Sequence, residues 1–400
     1  MGRLRASLTV LTLLAAAASV NVAYTALIPL VPHMRHQMGA SAAVIGLSFT
    51  LFALARSLAQ VVGGHCVDRF TARAVAVAGL VVAGGAIAGF ACARTASELL
   101  LWRIAWGAGE GLLTPALYRL GVVVAGASGI AQGRLMGWFG SAAVAGMAAG
   151  PVLVGLMGSV LDFRAIFLVA AAATFATAVA AAVGLRVDEA ATRPLPAAAD
   201  AATEGVSSML VGVALFGGMD LVNHALYAAL EPLLPLTLAS AVGAGVGATA
   251  ALFAWGLAVF AVVSGAGGTI ADRVRPLSFA GVAFVLMAVC LGVIGASSEL
   301  WSVAVAFTAF MALQPLLYVV ARRGLSERCQ GQGRAFGYFG AVSDVGFVVG
   351  PLVGTLLLGQ LHEAAYHGLA AVALCAGLAF VLLGRSTTHD RAPASAWQAV

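Results

Sequence analysis

The chain contains no lysine, so all 21 of its fixed basic charges are arginine. Charge of either sign is scarce: only 9% of the 400 residues are charged. That scarcity excludes an ordinary soluble domain, which needs far more polar surface to stay in water. Cysteine is scarce as well. Cys66, Cys92, Cys290, Cys329 and Cys375 lie far apart, outside any CxxC or metal-ligand spacing, and read as packing residues. No P-loop, nucleophile elbow or HExxH occurs, so neither an enzyme activity nor a metal or cofactor is expected. The net charge of +5 does not indicate a nucleic-acid partner. The arginines lie singly at the ends of apolar segments, where they set membrane orientation.

What the chain has is apolar length: 62% of its residues are hydrophobic. A spanning helix needs roughly 20 such residues. Cutting at charged residues and at Gly, Pro and Asn punctuation yields about twelve segments of that length. They run near 8–32, 43–65, 74–93, 98–120, 135–159, 164–185, 207–236, 246–270, 277–296, 300–321, 336–358 and 366–384. The first continues past Pro29, too far for a secretory signal, and no cleavage site stands out. Ala6 stands where myristoylation needs Ser or Thr. The fold class expected is an all-α membrane protein with twelve transmembrane helices.

The sequence repeats. Gly133–Gly155 reads GRLMGWFGSAAVAGMAAGPVLVG, and Gly333–Gly354 reads GRAFGYFGAVSDVGFVVGPLVG. Tyr24-x-x-Leu27-x-Pro29-x-x-Pro32 returns as Tyr227-x-x-Leu230-x-Pro232-x-x-Pro235, and Pro115 and Tyr118 return as Pro315 and Tyr318. Such a period in a membrane chain means two homologous bundles of six helices, parallel about an axis along the membrane normal. Residues 1–185 and 207–400 form the halves, and 186–206, rich in Ala, Pro and acids, reads as a flexible linker. One set of connections carries most arginines, and the other carries only Arg35, Arg94 and Arg164. That bias places both termini and the linker in the cytoplasm, in a chain of the cytoplasmic membrane.

Two loops carry a shared pattern. Gly64-x-x-x-Asp68-Arg69 is followed by Arg73, and Gly268-x-x-x-Asp272-Arg273 by Arg275. The fourth segment opens Arg103-x-x-x-Gly107-x-Gly109-x-Gly111-x-x-x-Pro115, and the fifth carries Gly146-x-x-x-Gly150-Pro151-x-x-x-Gly155. The eleventh repeats Gly346, Gly350, Pro351 and Gly354. Together these motifs, in this order, resemble the major facilitator superfamily of membrane transporters over nearly the whole chain. The fifth-segment motif is similar to that of its drug/proton antiporter branch. The resemblance implies a rocker switch, in which two halves open a central cavity alternately to each side. It implies a latch at Gly64, Asp68, Arg69, Arg73, Gly268, Asp272, Arg273 and Arg275, where glycine lets helices approach closely. It implies bending at the Gly/Pro motifs of segments five and eleven.

Polar residues inside spans are expensive and mark function. Asp220, Asn223, His224, Tyr227 and Glu231 recur at helical spacing on one face of the seventh segment. Asn21 and Tyr24 are their weaker counterparts in the first. Glu231, near the expected end of its segment, belongs either to a cavity mouth or to solvent. On the fourth, Arg103, Glu110 and Thr114 share a face, with Arg103 and Glu110 about 10 Å apart along the axis. Arg56 and Asp344 stand in segments two and eleven, and Gln314 and Tyr318 in the tenth. Asp220, Glu110 and Asp344 are the candidate proton carriers. Each polar residue also has a plain alternative as a structural tie between helices. Proton-driven efflux of a small amphipathic molecule by a monomer is expected. The alternative is proton symport of a small organic anion clamped by Arg56 and Arg103.

Overall fold

The computed structural model describes residues 2–128, 132–158, 160–185, 209–271, 273–329, 333–361 and 364–389. Its described elements are helical. α1 (Gly2–Ala26) meets Pro29 and Pro32, which lack backbone donors, and tightens into a 3-10 turn at Ile28–Leu30 before resuming as α2 (Val31–Met38). Gly39, in left-handed backbone at φ 62°, ends it. α3 (Ala42–Arg69), α4 (Ala72–Cys92), α5 (Ala96–Ser128), α6 (Gln132–Met157) and α7 (Phe163–Gly184) follow. Ser41, Thr71 and Asp162 cap α3, α4 and α7, each accepting a backbone N–H three residues on.

The run Met209–Val242 comes next. Its centre is α8 (Gly218–Thr237), flanked by π-helical turns at Val213–Gly217 and Leu238–Val242. Then come α9 (Val246–Ala271), α10 (Pro276–Ala296), α11 (Leu300–Cys329), α12 (Gly333–Leu361) and α13 (Ala365–His389). Among the described residues, eleven runs are long and apolar enough to cross a membrane. The remaining long helix is α5, whose apolar run is interrupted by Arg103 and Glu110. Both of these charged residues are buried.

Packing repeats as the sequence does. In the first part of the chain α3 and α4 pack on α5, α1 packs on α6, and α4 on α7. In the second, α9 and α10 pack on α11, α8 on α12, and α10 on α13. Each pair repeats its counterpart in position. Motif glycines make the closest of these contacts. A Cβ at Gly146 would strike the Ala18 carbonyl of α1, and one at Gly346 the Leu221 carbonyl one turn after Gly217. Small residues let backbones approach in this way where lipid supplies no hydrophobic drive between helices.

The main contacts between the parts are made by two helix pairs, α3 with α12 and α6 with α9. Along α3 and α12 the contact runs from Gly46 against Thr355, through Thr50 donating to the Val348 carbonyl at 2.8 Å, to Ser57 and Arg56 against Asp344. One or two turns further on, at Gly64 and Gly340, an added Cβ would meet nothing within 4 Å. The helices therefore touch toward the side with few arginines and separate toward the arginine-rich side. The other pair also meets near the arginine-poor side, where a Cβ on Gly155 would lie 3.6 Å from that of Ala250. The close approach expected at Gly64 falls one residue earlier: a Cβ at Gly63 would meet Pro115 of α5 at 2.9 Å.

Candidate functional site

The polar residues inside the bundle form three groups. The first joins the two parts of the chain. Tyr24 on α1 donates its hydroxyl to Oε2 of Glu231 on α8. Glu231 is completely buried. The expectation of a solvated or mouth position is corrected here. The helical run continues to Val242 rather than ending near 236, so Glu231 lies deeper than the prolines suggested. Tyr227, one turn earlier, brings a second buried hydroxyl toward it without completing a hydrogen bond.

Arg103 lies beside this group, also fully buried. Its guanidinium is walled by aromatic rings, with Phe52 at 4.3 Å, Trp106 at 4.9 Å, Phe49 at 5.1 Å and Tyr24 at 5.5 Å to the ring centroids. Cation–π attraction stabilises a charge that burial alone would disfavour. Nε donates to the Ser48 carbonyl at 3.3 Å, but both Nη atoms have no hydrogen-bond partner. Glu110, one turn beyond Trp106, accepts from the indole Nε1 at 3.0 Å. Thr114 donates to the Glu110 carbonyl at 2.9 Å, and Asn21 to that of Ala17 at 2.7 Å, so both satisfy their own helices.

The second group crosses between α3 and α12. Arg56 and Asp344 form an ion pair at 3.8 Å, with Ser57 at 3.5 Å from the same carboxylate and Phe347 beneath the guanidinium. Arg56 and Arg103 do not form a joint clamp: one is paired with a carboxylate, the other with aromatic rings.

The third group ties α8 to α11 and α12. Asp220, fully buried, meets Arg322 at 3.1 Å, accepts from Ser343 at 3.0 Å and lies 3.8 Å from His224. Asn223 and Gln314 exchange hydrogen bonds, each side-chain amide donating to the other's backbone carbonyl at 3.2 and 2.9 Å. His224 lies tilted against Phe347 with ring centroids 4.5 Å apart, and Tyr318 lies under the Arg322 guanidinium. Arg322 and Ser343 were not singled out from sequence. Arg322 stands next to Arg323 at the end of an apolar run and reads as a loop charge.

Of the latch residues, Asp272 lies outside the described residues, and so do the surroundings of Asp68 and Gly268. Arg69, Arg273 and Arg275 are exposed. Residues 186–206 also lie outside the described residues. Among the described residues no group of three or more His, Cys, Asp or Glu is placed to hold a metal ion.

A sequence model described as Major Facilitator Superfamily matches residues 13–222 and again 216–399. The chain belongs to the Major Facilitator Superfamily. It is accordingly a membrane transporter rather than an enzyme. The double match follows the internal repeat of a superfamily protein. No curated protein matches the sequence. Among solved structures, a bacterial homologue of the human lysosomal transporter Spinster, inward-facing and unoccupied, is similar with a TM-score of 0.76 at 15% identity, over 98% of this chain and 99% of that one. PepTSo, a POT family transporter, is similar with a TM-score of 0.74 at 11% identity, over 96% and 99%. A mutant peptide transporter POT in complex with sulfate is similar with a TM-score of 0.76 at 12% identity, over 94% of each chain. At these identities the likeness is one of fold.

Proposed function

We propose that this superfamily member exports a small amphipathic molecule by alternating access, driven by protons. Its halves are residues 1–185 and 207–400, joined by a cytoplasmic linker at 186–206, and it works as a monomer in the cytoplasmic membrane with both termini inside. The arginine bias supports that orientation. On it, the side where α3 and α12 separate is the cytoplasmic one. The Spinster homologue is likewise described as inward-facing.

The observation that carries proton coupling is a pair of buried carboxylates held by neutral donors. Glu110 is hydrogen-bonded by Trp106, and Glu231 by Tyr24 of the other half. A carboxylate inside a span with no bonded cation is suited to take up and release a proton as access changes. Asp220 and Asp344 carry arginine partners and act as switchable ties, exchanging an ion pair for a protonated acid. The Gly/Pro motifs on α6 and α12 bend or reseat these helices as the halves rock, and the loop motifs latch the cytoplasmic ends.

The test compares compounds inside and outside cells that make or lack the protein, at fixed external pH. A compound depleted inside only when the protein is present, and restored by a protonophore, is the expected result. Efflux indifferent both to the protonophore and to Asp220→Asn with Glu110→Gln would overturn proton coupling. The unpaired Nη atoms of Arg103 support a second reading, uptake of a small organic anion by proton symport. Net inward movement lost in Arg103→Gln would favour it over export.

A further inference from the structure

Buried polar atoms are nearly always hydrogen-bonded, because leaving one unpaired forfeits its interaction with water for nothing. Four unpaired ones gather where the two halves meet: Nη1 and Nη2 of Arg103, Oε1 of Glu231 and the hydroxyl of Tyr227. Arg103 and Glu231 are 0% exposed and Tyr227 is 5% exposed. Tyr24 connects them. Its ring centroid lies 5.5 Å from the Arg103 guanidinium, and its hydroxyl is bonded to the other oxygen of Glu231. A cation from the first half and a carboxylate from the second thus stand on either side of one tyrosine. Their free atoms are not bonded together.

We propose that this cluster binds a small zwitterion, a molecule carrying a carboxylate and a protonated amine a few bonds apart. The ligand carboxylate accepts from the two Nη atoms of Arg103, a two-pronged donor suited to it. The ammonium donates to Oε1 of Glu231, with the Tyr227 hydroxyl beside it. A plain anion would satisfy Arg103 but face the Glu231 carboxylate. A plain cation would do the reverse. Arg56 and Glu110, the other charged groups near Glu231 and Arg103, are engaged with Asp344 and Trp106. Phe49 and Phe52, buried around the Arg103 guanidinium, would line a ligand's side chain only once the halves part. Because the two charged groups belong to different halves, a ligand with both charges draws the halves together, and their separation releases it. The inference rests on the transport reading but not on direction or on protons.

The test uses the purified full chain in proteoliposomes, with counterflow of a panel of labelled neutral L-amino acids and their dipeptides. Detergent-state melting with the same compounds reads binding apart from transport. Any member that exchanges is compared with its N-acetyl form, which keeps only the negative charge, and its methyl ester, which keeps only the positive. The zwitterion is expected to exchange and to raise Tm, with each blocked form weaker by at least about tenfold. In Arg103→Gln the methyl ester should bind as well as the parent, and in Glu231→Gln the N-acetyl form should. These shifts in preference cannot come from misfolding, and Arg103→Lys, which keeps the charge, should retain the preference. The proposal is overturned if a blocked form matches the parent in the unaltered protein. It is also overturned if no panel member acts while another compound is moved, in which case water fills the cluster and transport stands. Failure of every compound to move would instead refute the transport reading.

Discussion

At the scale of the residue, the membrane makes each buried charge a matter of partners. Asp220 shows this most fully: Arg322, Ser343 and His224 surround one carboxylate from three helices. Asp220→Asn should lower stability by about 2 kcal/mol, since it removes a charged hydrogen bond and leaves Arg322 without its carboxylate. Arg322→Gln alone should act similarly, and the double variant should lose less than the sum. The coupling is expected at roughly 1–3 kcal/mol in a double-mutant cycle read by thermal unfolding in detergent. Additive losses would mean the pair contributes nothing together. Arg103 obeys a different rule, because aromatic rings rather than a carboxylate surround it. Trp106→Phe keeps one wall of that enclosure but removes the donor to Glu110. A fall in Tm corresponding to about 1–3 kcal/mol is expected.

At the scale of the element, glycine determines how near two helices come. Gly146 and Gly150 of α6 face the α1 backbone, while Gly64 of α3 faces open space. Gly146→Val should therefore displace α1 from α6 and lower stability by about 1–3 kcal/mol or more. Gly64→Ala should change Tm little in this conformation, and so should Gly155→Ala, whose added methyl would make only van der Waals contact. A large loss at Gly64 would mean that the helix ends close together in the dominant solution state. If Gly64→Ala slows transport without lowering Tm, its small size is needed only when the arginine-rich side closes.

At the scale of the whole molecule, the two parts meet toward one side and part toward the other. Cysteines at positions 155 and 250 fall within disulfide reach, since Cβ atoms there would be 3.6 Å apart and a disulfide needs about 3.8 Å. With the five native cysteines replaced by alanine, Gly155→Cys with Ala250→Cys should cross-link readily under mild oxidation. The cross-link should stop transport, and reduction should restore it. Unimpeded transport by the cross-linked protein would show that this side need not open. Tyr24→Phe, which removes the donor to Glu231 across the halves, should lower the cross-link yield by shifting the population toward the opposite opening.

Much of this protein is legible in its sequence because a bilayer leaves the backbone few choices. Without water to satisfy N–H and C=O groups, an apolar run of spanning length must be helical. Counting such runs, noting the repeat and reading three motifs was enough for the fold and the family. The candidate residues were legible by the same physics, since Arg103, Glu110, Asp220 and Glu231 are conspicuous among leucines and alanines. What sequence could not supply was their partners. Helical periodicity places residues on a face within one helix, but says nothing of which helix that face meets. Tyr24 and Glu231 are 207 residues apart, and Ser343 and Asp220 are 123 apart. The register between helices is determined by side-chain packing and by backbone contacts at glycines such as Gly150 and Gly350. Only the assembled bundle decided which charge has a bonded partner and which does not.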